Sequence, residues 1–177
     1  MQNKKIMLIF FLVLSITIII LGIVMGTRYF DELNEEQNID NAIAEKIKNE
    51  EIQGDMLPSS IQYSNAVIKA VEYKIISCNK KDKTAVVSFT YINAIKLAEQ
   101  YQKPINCEAD IDDFYMFCVN SIESRTAPFV TKEIEIRYSL EDQNGQTICA
   151  IQNSAELADV LTGGTFSEYL KIIGGDN

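Results

Sequence analysis

VTKEIEIRYSLEDQNGQTICAIQ, residues 130–152, is the stretch that decides the fold. Val130, Ile134, Ile136, Tyr138 and Leu140 share one parity, and Thr131, Glu133, Glu135, Arg137 and Ser139 share the other. Successive side chains of a strand point to opposite faces, so this segment is a strand with one apolar and one polar face. Asn144-Gly145 is the dipeptide that supplies positive φ in a tight hairpin turn, and the chain returns along Gln146 to Gln152. The return strand carries Thr147, Cys149 and Ile151 on one face and Ile148 and Ala150 on the other, which predicts burial on both sides.

The same period occurs upstream. Val71, Tyr73 and Ile75 alternate with Glu72 and Lys74, and Ala85, Val87, Phe89 and Tyr91 alternate with Val86, Ser88 and Thr90. Asn79 to Lys83 between them is polar and too short for a crossover helix, so the pair is expected to be an antiparallel hairpin with a solvated lysine-rich turn. Between the hairpins, Ile111, Phe114, Tyr115, Cys118 and Ile122 recur at helical spacing. Asn106 is the expected cap, and Glu108, Asp110, Asp112 and Asp113 favour the positive end of the helix dipole. Asn93 to Lys103 reads as a shorter helix before Pro104, and Ser154 to Leu161 as another, stopped by Gly163-Gly164.

Towards the N-terminus, Asp31 to Gln53 is polar and helical with Ile39, Ile43 and Ile47 on one stripe, ended by Gly54 and Pro58. The order is then α, β-hairpin, α, α, β-hairpin, α. An α+β fold with an antiparallel sheet of two hairpins packed on helices fits it best. Val87, Phe89, Phe114, Ile134 and Ile136 are the expected core.

Ile6 to Met25 holds twenty residues without a charge, interrupted by Ser15, Thr17 and Gly22. At ~1.5 Å per residue, a helix of that length spans the ~30 Å hydrocarbon core of a bilayer and satisfies its own backbone hydrogen bonds. Lys4 and Lys5 precede it, while Arg28 is followed by Asp31, Glu32, Glu35 and Glu36, so a cytoplasmic N-terminus and an extracytoplasmic C-terminal domain are expected. A cleaved signal peptide predicts a shorter apolar run and a small-x-small site, whereas this run ends Val24-Met25-Gly26-Thr27. Gly22 and Gly26 form a GxxxG pair, a candidate contact for a homodimer within the membrane. The expected division is 1–5 cytoplasmic, 6–25 transmembrane, 26–53 a juxtamembrane helical stalk, 54–170 the extracytoplasmic domain and 171–177 a loose tail.

The chain has 16 Lys and Arg against 25 Asp and Glu. Lys4, Lys5 and Arg28 precede every acidic residue, so beyond residue 30 the formal charge is −12. Such a surface repels nucleic acid and anionic lipid. Four cysteines, Cys78, Cys107, Cys118 and Cys149, are disulfide candidates in an oxidising compartment. Cys107 and Cys118 sit at either end of one helical segment, about 16 Å apart and beyond the ~7 Å Cα limit for a bridge. The other two pairings, and buried thiols, stay open.

The two meander hairpins separated by helices, with the closing Leu157-Ala158-Asp159-Val160-Leu161-Thr162-Gly163-Gly164, resemble the small extracytoplasmic domains of Gram-positive membrane proteins and lipoproteins in the nuclear transport factor 2-like, or cystatin-like, superfamily. The resemblance covers roughly Ile61 to Leu170. The chain departs from it in having neither an N-terminal lipidated cysteine nor any Trp. It implies a curved sheet wrapped around helices as a cone with an apolar pocket, for which Tyr73, Phe89, Tyr91, Phe114 and Tyr138 are the candidate lining aromatics.

Catalytic signatures are sparse. There is no His anywhere, which removes Ser-His-Asp and Cys-His arrangements, His-containing zinc sites and His bases. Asp110-x-Asp112-Asp113 lacks the Gly and Glu of a calcium loop, having Tyr115 and Ser121 in their places, and no cysteine spacing is CxxC. No metal, cofactor or catalytic set is therefore expected. The favoured reading is a binding or interaction module outside the cytoplasm, with an unidentified protein or small-molecule partner. One alternative is a bitopic assembly subunit of a secretion or conjugation channel, by resemblance to type IV secretion factors. The other is a pocketed enzyme using Asp or Glu with Tyr, which a buried carboxylate beside Tyr73, Tyr91, Tyr115 or Tyr138 would favour.

Overall fold

A computed structural model describes residues 34–50, 57–143 and 146–174. The expected membrane helix, its GxxxG pair and the Asn144-Gly145 turn lie outside these residues. Among the described residues no helix is long and apolar enough to cross a membrane. The chain divides into residues 1–38 and 39–177; of the first unit only the helical residues 34–38 are described.

The second unit begins inside helix α1, residues 34–49. The sheet is a meander of β1 (Glu72–Asn79), β2 (Thr84–Ile92), β3 (Phe129–Gln143) and β4 (Gln146–Ile151), in that spatial order and antiparallel throughout. Both expected hairpins form, and β2 and β3 join them. In the first turn Asn79 Oδ1 accepts from the N–H groups of Lys81 and Asp82 at 3.2 and 3.3 Å, while its Nδ2 donates to Asp82 at 2.7 Å. The β1–β2 register slips between Ile75 and Ser77, leaving Ile76 exposed.

Ala85, Val87, Phe89, Tyr91, Ile134, Ile136 and Tyr138 line one face of the sheet and are buried. Ile39 and Ile43 of α1 cover that face, together with Leu157, Val160 and Leu161 of α5 (Ala155–Leu161). The isoleucine stripe therefore belongs to the domain core and not to a stalk: Ile39 is 0% and Ile43 2% exposed. The domain starts by residue 39, not at 54.

A second cluster lies at the end of β2, where Ile92 meets Val67 of α2 (Pro58–Lys69), Leu97 of α3 (Ala94–Glu99) and Cys118 and Ile122 of α4 (Glu108–Glu123). Helix α2 occupies the stretch between the expected stalk helix and the first hairpin, for which the sequence pattern gives no element. Pro58 opens it instead of ending its predecessor, because the first turn of a helix needs no proline N–H. The Ser59 hydroxyl donates to the Asp112 carboxylate and ties α2 to α4. Asn93 caps α3 by accepting from Lys96 N–H at 3.0 Å, as Ser154 caps α5 by accepting from Leu157 N–H at 3.1 Å. The N-cap of α4 is Cys107 and not Asn106; the Asp110 carboxylate reaches back to accept from both backbone N–H groups, at 2.8 Å from Asn106 and 3.1 Å from Cys107. These bonds, that from Asn106 first, hold the Asp110 carboxyl below its usual range.

The C-terminal segment is also more ordered in pattern than expected. A sixth helix, α6 (Thr165–Gly174), follows α5 directly. Gly164 N–H bonds Asp159 C=O at 2.7 Å in a helix-ending turn, and Gly163, at φ +66°, accepts from Ala94 N–H at 2.9 Å. A Cβ on Gly163 would stand 3.0 Å from Ile92 O, so close approach as well as positive φ requires glycine there.

Candidate interaction surface

β3 is 15 residues long and β4 only 6, and this mismatch makes the site. Residues 129–137 of β3 pair with β2, whereas β4 pairs only with residues 138–143, on the opposite edge. Asn93 N–H bonds Pro128 C=O at 2.8 Å, and Tyr138 N–H bonds Lys83 C=O at 3.0 Å. Even-numbered residues of β3 thus direct their backbone groups at β2, and odd-numbered ones direct theirs away from it. The outward direction is marked by Arg137, whose C=O accepts from Gln152 N–H at 2.9 Å. Beyond that bond the chain turns off into the Ser154 cap. Thr131, Glu133 and Glu135 are left with N–H and C=O groups facing an edge at which no strand pairs among the described residues.

A groove of about 540 Å³ runs along this edge, with Lys132, Glu133, Ile134, Glu135 and Arg137 on one side and the Gln152–Glu156 segment on the other. The side chains of Thr131, Glu133, Glu135 and Arg137 stand exposed on the outer sheet face. A second groove, about 530 Å³, lies on the other side of Asn153 and Ser154, between α1 and the α5–α6 pair, with Leu157, Phe166 and Leu170 in its wall.

The five candidate aromatics do not meet around either groove. Phe89, Tyr91 and Tyr138 are buried in the sheet cluster with Tyr73 against them, the Tyr73 and Phe89 ring centroids being 6.1 Å apart. Phe114 lies in the other cluster, half-buried among Tyr101 and Tyr115 at 5.2 and 5.6 Å. Lys83 Nζ stands 5.5 Å from the Tyr138 ring centroid. Burial, with Asp40 second, pushes the Tyr73 hydroxyl up to about 12, and the hydroxyl donates to Asp40 C=O at 3.1 Å. Burial also pushes Tyr63, which stacks 5.6 Å from Tyr115, to about 12.

One carboxylate is buried beside an aromatic of the candidate set. Asp159 is 8% exposed, and it raises the Tyr91 pKa as a secondary cause after burial. Its Oδ1 accepts from Ser167 N–H at 2.9 Å, which caps the first turn of α6. Asp159 lines neither groove.

Of the cysteines, Cys118 is buried in the helical cluster, which pushes its thiol up to about 11, and Cys107 is exposed at the start of α4. Cys78 and Cys149 both pack against the sheet cluster, apart from Cys118. The return strand β4 is not buried on both sides: Ile148 is 41% exposed because the outer face of the sheet has no covering layer there among the described residues. No group of three His, Cys, Asp or Glu side chains among the described residues is placed to hold a metal ion.

Comparison with protein-family models, curated proteins and solved structures returns no match.

Proposed function

We propose that the chain is a non-catalytic interaction module, held at the outer face of the cell membrane by Ile6 to Met25 with Met1 to Lys5 in the cytoplasm. The single observation that carries the interaction reading is the groove beside β3. It combines a stretch of backbone that no strand pairs among the described residues with charged walls, a surface suited to another polypeptide and poorly suited to a small apolar ligand. The anchor rests on the uncharged run and the flanking lysines. The cystatin-like resemblance is supported by a four-stranded antiparallel meander with helices against one face. Against the enzyme reading stands the capping role of Asp159, whose carboxylate oxygen is engaged by Ser167.

Two measurements test this. Protease added outside intact protoplasts is expected to digest the α+β domain; full protection refutes the outside placement, and a soluble form lacking Met1 to Met25 identifies a cleaved signal instead. Crosslinking in the intact membrane is expected to capture a protein partner through residues flanking the β3 groove. Small-molecule turnover lost in Asp159→Asn, with the circular dichroism spectrum retained, overturns the non-catalytic reading.

A further inference from the structure

We propose that the outer edge of β3, at which no strand pairs among the described residues, takes up an extended segment of a partner protein as an added antiparallel strand, and that this segment carries Lys or Arg at alternate positions. The inference rests on the interaction-module reading and specifies its partner.

The backbone supplies the affinity. Glu133 and Glu135 present N–H and C=O groups to the groove, and Thr131 continues the same edge at the spacing of a ladder, so an incoming strand meets them in register without rearranging β2 or β4. The side chains supply the selection. A residue hydrogen-bonded directly opposite Glu133 or Glu135 projects its side chain on the same, outer face, about 5 Å away. Basic residues two apart therefore face the two glutamates, while the residue between them turns inward beside Ile134, which also lines the groove. The −12 charge beyond residue 30 draws a basic segment towards this surface at long range.

A second copy of this chain is a poorer occupant. Antiparallel self-pairing centred on Ile134 sets Glu133 of each copy opposite Glu135 of the other, and centring on Glu133 sets that residue opposite itself. Like charges in directly opposed positions are unfavourable. The glutamates thus discourage self-assembly while leaving the edge open to a complementary strand.

The test uses the full chain in detergent micelles with capped heptapeptides that alternate lysine and valine, or glutamate and valine. The lysine peptide is expected to bind and to slow hydrogen exchange at the amides of Thr131, Glu133 and Glu135. Glu133→Pro removes an N–H that points at the groove and not at β2, so the fold is expected to stand while peptide binding falls about tenfold or more. The double substitution Glu133→Lys, Glu135→Lys, which keeps the backbone donors, is expected to reverse the preference to the glutamate peptide. Binding unchanged by these substitutions, protection mapped elsewhere, or no binding of the lysine peptide overturns the proposal; so does a dimer that dissociates on Glu133→Pro. If crosslinking still captures a partner in the Glu133→Pro chain, the interaction module stands and the edge assignment falls. If turnover appears without peptide binding, both fall.

Discussion

Helix α1 offers the sharpest perturbation, because a solvated stalk and a core element respond oppositely to it. Ile43 is 2% exposed beneath the sheet. Ile43→Ala removes three carbon atoms, worth about 0.8 kcal/mol each in transfer from water, and leaves a cavity that α1 and α5 cannot fully close. The expected loss is about 2–5 kcal/mol, a large part of the ~5–15 kcal/mol that holds an ordinary domain folded. Lys48→Ala, one turn on and exposed, is expected to change stability by less than about 0.5 kcal/mol. Cutting the chain at Gly54 is more severe, since Ile39, Ala42 and Ile43 all go and the face of the sheet keeps only α5 of the two helices that cover it. The assay is urea unfolding followed by circular dichroism, on chains beginning at Asn34 and at Gly54. The longer piece is expected to unfold cooperatively and the shorter to be unfolded or molten without denaturant. Equal midpoints for the Ile43 and Lys48 variants, with cooperative unfolding of the shorter piece, refute the reasoning.

Gly163→Ala is expected to cost more than Gly164→Ala in thermal unfolding: both residues have positive φ, worth about 1–2 kcal/mol, but only Gly163 has Ala94 and Ile92 O at 3.0 Å from an added Cβ. Phe89→Ala is expected to cost about 3–5 kcal/mol and Phe114→Ala less, because Phe89 is fully buried and Phe114 half-buried. Tyr63 and Tyr73 hold their protons to about pH 12 when folded but ionise near 10 when unfolded, so the unfolded chain binds fewer protons in that window. Their contribution to stability is full below pH 10 and lost as pH rises towards 12, which the phenolate absorbance and the melting temperature should track together. A thiol reagent is expected to label Cys107 in the native protein and Cys118 only on unfolding, since Cys118 is buried with its thiol pushed to about 11.

Strand periodicity was legible because each hairpin carries its own turn chemistry, so Val87, Phe89, Ile134 and Ile136 could be assigned to the core from parity alone. What covers an apolar face is a different question. The stripe of Ile39, Ile43 and Ile47 is visible in the sequence, yet its period says only that one side is apolar, and a sheet face distant in sequence supplies the partner. The same gap separates an inward-facing aromatic from a pocket aromatic: α1 and α5 pack against the face that Phe89, Tyr91 and Tyr138 share, and all three are core. Pro58 misled because proline both follows one helix and begins another, and the serines after it, with Ile61 and Ile68 beyond, were the available sign of a new start. Helix α6 was hidden by the glycine pair that precedes it, although Phe166 and Leu170 recur one turn apart.

The candidate surface had a countable sign in the sequence. Strand alternation persists from Val130 to Leu140, but only seven residues, Gln146 to Gln152, come back from the turn before Ser154 caps a helix. A strand that outlasts its returning partner must find another neighbour for the surplus or leave it unpaired on that side. Because β2 occupies one side of the surplus, the opposite side from Thr131 to Glu135 is the stretch left over among the described residues. Strand lengths thus locate the edge, and the glutamates at alternate positions along it indicate which kind of strand it would accept.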